Sequence, residues 1–295
     1  MTEEIAQVGD VKIAYETFGD AADPAMLLVM GLGVQMIGWD EGLCRMWVDR
    51  GFHVIRFDNR DVGHSSQFEG GPEPNLMAAL AGDTSSAAYL LADLADDAFG
   101  LLDHLGVDAA HVVGVSMGGM IAQTMAIRHP ERVLSLTSIM SSTGDQAVGQ
   151  PRPEILPVML TPAPADRAGF AQHQVGVFKR IGSPGYPMDE DRIRGLCEQS
   201  YDRCFSPAGF YRQLLAILAS GSRTADLASV RAPALVIHGE DDPLIDVSGG
   251  RATAAAIPGA ELIVIPGMGH DLPPALWPRI VDAVVANTAR ASVQA

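Results

Sequence analysis

A serine between two glycines lies at the junction of an apolar strand pattern and a long helical pattern. The five residues are Gly114-Val115-Ser116-Met117-Gly118, preceded by AHVV and followed by a helical pattern that includes MIAQTMAIRH. A serine on such a sharp strand-to-helix turn projects its hydroxyl clear of a sheet, where it can attack a carbonyl carbon. The turn strains the serine backbone, so the flanking positions must lack bulk. We therefore interpret Ser116 as a nucleophile rather than as an ordinary serine in a glycine-rich turn.

A nucleophilic serine needs a base, and His270 is the histidine whose position suits that role. A serine hydroxyl is almost un-ionised at neutral pH, so the base must lie within hydrogen-bond reach. His270 follows the last apolar strand pattern on the segment GMGH, at the same predicted sheet edge as Ser116. The other histidines fall in or beside predicted strands, near helix ends or in the helical insertion. His64, in the polar loop 59–66, is expected to have a structural role.

The base in turn needs a carboxylate that fixes its tautomer and stabilises the imidazolium that forms. The strand pattern ALVIHG at 234–239 ends in three acids, Glu240, Asp241 and Asp242. Asp242 precedes Pro243, which fixes the turn and can hold the carboxylate inward. We therefore predict Asp242 as the acid, with Asp241 as the second choice and Asp145, after the strand pattern VLSLTSIM, as a more remote one.

Two backbone N–H groups are expected to hold the negative charge that forms on the attacked carbonyl oxygen. One is that of Leu32, in the glycine-flanked segment Gly31-Leu32-Gly33 directly after the apolar run AMLLVM. The other is that of Met117, at the N-terminus of the helix that follows Ser116.

Strand and helix patterns alternate up to about residue 143, which is typical of a parallel sheet that binds ligands at the carboxyl ends of its strands. Residues 144–224 contain no strand pattern but four helical ones, at 154–160, 166–181, 189–204 and 207–220. Strand and helix patterns resume over 225–295. We interpret 1–143 and 225–295 as one α/β core and 144–224 as an all-helical cap over the carboxyl ends of the sheet.

The composition limits the class of protein and its partners. The chain has 295 residues, 47% of them apolar, and a formal net charge of −16, so binding to nucleic acid or to an anionic membrane is not expected. No apolar run is long enough to span a bilayer, and the acidic N-terminus does not resemble a signal peptide. The three cysteines have neither disulfide nor metal-ligand spacing, so we expect a reduced, cytoplasmic protein without a metal. The sequence contains no signal that decides between a monomer and a homodimer.

Four stretches of the chain resemble the α/β-hydrolase family, namely AHVVGVSMGGMIAQ, FDNRDVGHSS, SVRAPALVIHGEDDP and IPGMGHDLP. Within it they are similar to small capped esterases and cofactor-free haloperoxidases, especially the aclacinomycin methylesterase-like group. The resemblance implies an α/β-hydrolase fold, with a mostly parallel twisted sheet flanked by helices and an inserted all-helical cap. It also implies a site without a cofactor, in which Ser116, Asp242 and His270 form a triad and Leu32 and Met117 donate to the oxyanion.

One position departs from the common family pattern. Many members carry His-Gly where this chain has Met30-Gly31, although the methylesterase-like group tolerates methionine there. The histidine of those members is not a proton-transfer residue. With methionine at position 30, other residues must hold the loop around Leu32 in place, and the sequence does not indicate which.

The expected function is that of a carboxylic ester hydrolase acting through an acyl-enzyme on small to medium apolar esters, methyl esters among them. A cofactor-free perhydrolase or haloperoxidase uses the same constellation, and so does a C–C bond hydrolase. A small-molecule receptor on a hydrolase scaffold is the non-enzymatic alternative, which tight binding without turnover would favour. Dehalogenases and epoxide hydrolases of this fold are disfavoured, because their nucleophile is an aspartate.

Overall fold

A computed structural model describes residues 2–291. These residues include eight strands: β1 (Glu4–Val8), β2 (Val11–Phe18), β3 (Ala25–Val29), β4 (His53–Phe57), β5 (Ala110–Val115), β6 (Val133–Ile139), β7 (Ala234–Gly239) and β8 (Glu261–Ile265). They form one sheet with the strand order β1-β2-β4-β3-β5-β6-β7-β8. The pairs β1–β2 and β2–β4 are antiparallel, and the other neighbouring pairs are parallel.

The central strands are buried on both faces, as their continuous apolar sequences predict. Every residue of β3 and β5 is buried. Leu27 pairs with Val112 and Leu28 with Val113, so alternate residues of the two strands face opposite sides of the sheet. The first pair lies in one apolar cluster and the second in another. The sheet therefore separates two apolar cores, one on each face.

Ten α-helices are found among the described residues, six of them in the two core segments of the chain. One of these six, Leu76–Leu80, has only five residues. The core helices are α1 (Glu41–Val48), α2 (Leu76–Leu80), α3 (Leu91–His104), α4 (Met117–Arg128), α9 (Val247–Ala256) and α10 (Trp277–Ala291).

Four helices lie between β6 and β7, each end within two residues of the predicted helical patterns: α5 (Leu156–Leu160), α6 (Arg167–Ile181), α7 (Glu190–Arg203) and α8 (Pro207–Ser220). The three longer helices begin after a residue whose side chain accepts a hydrogen bond from a backbone N–H of the first turn, namely Asp166, Asp189 and Ser206. α6 and α7 share a small apolar cluster of their own, separate from the two sheet cores.

Two buried ion pairs connect the inserted helices to the loop after β4. Arg203, the last residue of α7, contacts Asp58 at 2.5 Å, and Arg212 on α8 contacts Asp61 at 2.7 Å. Both carboxylates are fully buried. Removing one partner of such a pair costs about 3–5 kcal/mol, because the other charge is left uncompensated. The segment 58–61, directly after β4, therefore ties the helical insertion to the sheet.

No helix within residues 2–291 combines the length and the apolar character that a crossing of the bilayer requires.

Candidate active site

Ser116 lies at the turn between β5 and α4, at the carboxyl end of the sheet. Its φ is 55° and its ψ −122°, a conformation that L-residues rarely adopt. A Cβ on Gly114 would lie 2.1 Å from the carbonyl oxygen of Gly118, and a Cβ on Gly118 would lie 2.1 Å from that of Val29. Only glycine fits at these two positions, so the turn is possible because both lack a side chain.

The structure brings the side chains of Ser116, His270 and Asp242 into one hydrogen-bonded row. Nε2 of His270 lies 3.0 Å from Oγ of Ser116, and Nδ1 of the same ring lies 2.7 Å from Oδ2 of Asp242. The imidazole and the carboxylate are both buried, whereas the serine is partly accessible. With Nδ1 donating its proton to the carboxylate, Nε2 is free to accept the proton of the serine hydroxyl.

Asp242 is held in its orientation by the backbone of its own loop. Its Oδ1 accepts hydrogen bonds from the N–H groups of Leu244 and Ile245, both at 2.9 Å, and Oδ2 is left for His270. Two backbone donors on one oxygen fix which oxygen faces the imidazole. The Pro243 turn therefore has the geometry that the sequence predicts for an inward-pointing carboxylate.

The two alternative acids have other partners. Oδ2 of Asp241 accepts a hydrogen bond at 2.8 Å from the N–H of Gly267, so this side chain braces the loop after β8. Asp145 accepts one at 2.9 Å from the N–H of Ala147 in its own turn. Among the acids considered from the sequence, Asp242 is the one in contact with His270.

A second histidine, His238 in β7, lies beside the Asp242 carboxylate. It is fully buried, and its Nε2 donates to the carbonyl of Ile245 at 2.8 Å while lying 3.6 Å from Oδ2 of Asp242. Burial lowers its pKa, which favours the neutral ring. The carboxylate therefore faces one buried neutral histidine in addition to His270.

The backbone on both sides of His270 is anchored by the inserted helical segment. The N–H of His270 donates to the carbonyl of Ile181 at 2.7 Å, and the N–H of Gly269 donates to Oγ of Ser183 at 2.9 Å. The Ser183 hydroxyl in turn donates to Asp271, whose pKa is raised by burial. The end of α6 and the turn after it therefore fix the loop that carries the imidazole.

The two N–H groups proposed for the oxyanion lie on either side of the serine turn. Met117 is the first residue of α4, so its N–H has no acceptor within the helix. The loop of Leu32 passes close to the nucleophile, since a Cβ on Gly31 would be 3.2 Å from Cβ of Ser116. Neither N–H has a hydrogen-bond partner among residues 2–291. Both remain available to a substrate oxygen.

The loop of Leu32 is braced by two side chains that the sequence does not single out. Nδ2 of Asn59 donates to the carbonyl of Met30 at 3.1 Å, and Oε1 of Gln213 accepts from the N–H of Gly33 at 2.8 Å. Asn59 falls in the polar loop 59–66, where a structural role is expected for His64 from the sequence. The sequence signal for Gln213 is that it is the one side-chain amide in the largely apolar helix α8. Nothing in that sequence indicates that its partner is Gly33.

His64 contacts groups remote from the serine. Its ring nitrogens lie 2.5 Å from a carboxylate oxygen of Glu3 and 2.9 Å from the carbonyl of Arg203. The ring thus joins the residue before β1 to the end of α7.

Over residues 2–291, no three His, Cys, Asp or Glu side chains are grouped closely enough to hold a metal ion.

Comparison with known proteins shows similarity over most of the chain. A family model described as alpha/beta hydrolase fold matches residues 24–273. Rhodomycin D methylesterase DnrP of Streptomyces peucetius is 31% identical over 306 residues, covering 96% of this chain and 97% of the relative. 3-Oxoadipate enol-lactonase 2 of Acinetobacter baylyi is 28% identical over 245 residues, covering 82% and 80%.

The fold is also similar to that of solved structures. An enol-lactonase from Burkholderia xenovorans LB400 superposes with a TM-score of 0.76 at 23% identity, covering 97% of this chain and all of that one. This match and the family model confirm the predicted fold. The sequence relatives confirm the predicted resemblance to methylesterases and the prediction of an esterase-type hydrolase.

Proposed function

The chain belongs to the α/β-hydrolase family, and on that premise we propose that it hydrolyses carboxylic esters through a triad of Ser116, His270 and Asp242. The observation that carries this proposal is the continuous row from Oγ of Ser116, through both ring nitrogens of His270, to the buried carboxylate of Asp242, with contacts of 3.0 and 2.7 Å. The strained backbone of Ser116 supports it, because such strain is found where the structure must hold a reacting group in place.

In the first half-reaction, Oγ of Ser116 bonds to the ester carbonyl carbon while its proton passes to Nε2 of His270. The imidazolium is stabilised by the Asp242 carboxylate, and the carbonyl oxygen becomes an oxyanion that the N–H groups of Leu32 and Met117 hold. Collapse of this intermediate breaks the bond to the alkoxy oxygen, which takes the proton from Nε2 and leaves as the alcohol.

In the second half-reaction, water replaces the alcohol. His270 removes a proton from the water as its oxygen bonds to the acyl carbon, and the same proton is returned to Oγ of Ser116 when the acid leaves. The enzyme ends in its starting protonation state, and an ester and a water molecule have become an acid and an alcohol.

For the substrate, we propose small to medium apolar esters, methyl esters among them. The similarity to a rhodomycin D methylesterase supports a methyl ester as the reacting group. We also propose that residues 144–224 act as a cap that shapes the acyl or alcohol pocket. In support of this, the ring of Phe210 on α8 lies against the Leu32 loop, where a Cβ on Gly33 would be 2.7 Å from it.

The proposal is tested by turnover of p-nitrophenyl esters and methyl esters of increasing acyl length, with the wild type and Ser116→Ala. The variant is expected to lose about 10⁴-fold or more of kcat, because the members of a triad act as a unit. A serine-directed phosphonate should modify the wild type once, at Ser116, as mass spectrometry of the peptides would detect. Ser86→Ala, which removes the hydroxyl that accepts from the N–H of Asn75, is the control.

Near-normal turnover by Ser116→Ala would contradict the proposal. Measuring peracid formation from hydrogen peroxide and cleavage of a vinylogous diketone in the same preparations separates ester hydrolysis from the two activities that share the triad. Ligand binding without turnover of any ester would favour a receptor.

A further inference from the structure

Gln213 is a buried amide in the middle of the inserted helix α8. It has no exposed surface, so both ends of its amide need partners. Oε1 accepts a hydrogen bond from the N–H of Gly33, and Nε2 donates one to the carbonyl of Arg60, both at 2.8 Å. A backbone N–H can only donate and a carbonyl can only accept, so the amide orientation is fixed by these two partners.

The Gly33 N–H belongs to the peptide group that directly follows Leu32. The loop lies between two glycines, Gly31 and Gly33, and Gly33 has a φ of +69°. Glycine is the residue at which a peptide group can most easily rotate, because it lacks the Cβ that restricts φ and ψ. The Leu32 N–H lies in the preceding peptide group, so Gln213 holds the peptide group next to the one that carries this N–H.

The other bonds hold different parts of the loop. The Gly31 carbonyl, which shares its peptide group with the Leu32 N–H, accepts from the N–H of Val34 at 3.2 Å, and this bond fixes the shape of the turn 31–34. Asn59 holds the carbonyl of Met30, directly before the turn. Gln213 holds the turn itself to α8 through the Gly33 N–H. Without Gln213, the turn could shift as a unit and displace the Leu32 N–H.

We infer that Gln213 is a positioning residue, through which the inserted helix α8 holds the turn 31–34 in the place from which the Leu32 N–H reaches the developing oxyanion. The inference rests on the proposed function, since it concerns the same site. It also identifies a side chain that braces the loop around Leu32, which follows Met30 in this chain. The amide of Gln213 contacts the backbone of Gly33 and Arg60, so it acts on the Leu32 N–H only through the backbone of the turn.

Gln213→Met removes both hydrogen bonds while keeping the length of the side chain. We expect kcat to fall about 10- to 100-fold, because a small displacement of a group that stabilises the transition state costs up to about 10²-fold. KM should stay within about twofold, since the ground-state ester is bound by other contacts. The affinity for a trifluoromethyl ketone, whose adduct with Ser116 carries an oxyanion, should fall by the same factor as kcat.

The matched control is Ser220→Ala on the same helix. Oγ of Ser220 accepts from the N–H of Leu91 at 2.9 Å, so this variant also cuts a tether between α8 and the core, but one far from the loop. It is expected to keep wild-type kcat and ketone affinity. An equal loss in both variants would show a general effect of loosening α8 and would overturn the inference.

Gln213→Glu provides a second test that does not depend on the stability of the methionine variant. A protonated glutamic acid reproduces both hydrogen bonds, with its carbonyl oxygen toward Gly33 and its hydroxyl toward Arg60, whereas the carboxylate would repel the Arg60 carbonyl. Burial raises the pKa of a carboxyl group, so kcat should approach that of the wild type at low pH and fall as pH rises through that pKa. A profile that coincides with the wild type would overturn the inference.

The wild type and Ser116→Ala are measured in the same series. Equal activity of those two would refute the proposed function itself. A Ser116-dependent wild type together with an unchanged Gln213→Met would refute only the role of Gln213.

Discussion

Replacing Asp242 by asparagine tests the proposed triad through the tautomer of His270. In the wild type, the N–H groups of Leu244 and Ile245 both donate to Oδ1 of Asp242, and Oδ2 faces Nδ1 of His270 at 2.7 Å. An asparagine must keep its oxygen toward those two N–H groups, because a second donor cannot face them. Its NH₂ group then faces Nδ1 of the ring.

An imidazole whose Nδ1 accepts a hydrogen bond carries its proton on Nε2. That proton points at Oγ of Ser116, so the ring can no longer act as a base. The variant also loses the negative charge that stabilises the imidazolium. Together we expect a fall in kcat of about 10⁴-fold, equivalent to about 5.5 kcal/mol of transition-state stabilisation. The assay is steady-state hydrolysis of p-nitrophenyl butyrate, with folding checked by circular dichroism.

The neighbouring acid offers a matched control. Asp241→Asn keeps an oxygen that can accept from the N–H of Gly267, so its kcat should stay within about threefold of the wild type. If Asp242→Asn kept a tenth or more of the wild-type kcat, or if both variants lost activity equally, the argument from the orientation of Asp242 would be refuted.

Two further predictions concern stability. The buried ring of His111 contacts Ser135, and burial lowers its pKa to about 4, below the unfolded value of about 6.5. Between these two pKa values the unfolded chain binds more protons than the folded one. The stabilisation from the neutral ring is therefore complete above pH 6.5 and is lost as pH falls toward 4. When the pH is lowered from 7.5 to 5, the free energy of unfolding should fall by about 2 kcal/mol more for the wild type than for His111→Asn, as measured by urea unfolding. Parallel pH profiles of the two proteins would contradict this. The second prediction concerns Gly118→Ala, which would place a Cβ 2.1 Å from the carbonyl oxygen of Val29. We expect the free energy of unfolding to fall by at least about 3 kcal/mol. The control is Gly176→Ala, which has open space around its Cβ and should leave the free energy of unfolding unchanged or raise it by up to about 1 kcal/mol. Urea unfolding measures both, and equal stabilities would show that the Ser116 turn tolerates a methyl group.

The parts of the fold that depend on local sequence are predictable from it. The apolar runs of β3 and β5 predict buried parallel strands, and the glycines around Ser116 predict a close turn because only they fit it. The helical patterns of the insertion fall within a few residues of α5–α8. Each of these sequence patterns lies within a few residues of the strand, turn or helix that it predicts.

Contacts between distant parts of the chain could not be predicted in the same way. Gln213 and Gly33 are 180 positions apart, and nothing near either residue indicates the other. The same holds for Ser183 and Gly269, which are 86 positions apart. The row of Ser116, Asp242 and His270 could be predicted because each follows a parallel strand, and the carboxyl ends of such strands meet at one edge. Helix α2 has only five residues, too few for a periodic pattern.

The anchoring of His270 by Ile181 and Ser183 has a consequence for the exchange of substrate selectivity among relatives. The segment that we propose as the cap also supplies a carbonyl and a hydroxyl to the backbone around His270, the proposed general base. Transplanting residues 144–224 from another esterase would therefore replace part of the support of His270 together with the proposed pocket wall. We expect a chimera that preserves positions 181 and 183 to change which ester is accepted, and one that does not to change also how fast any ester reacts.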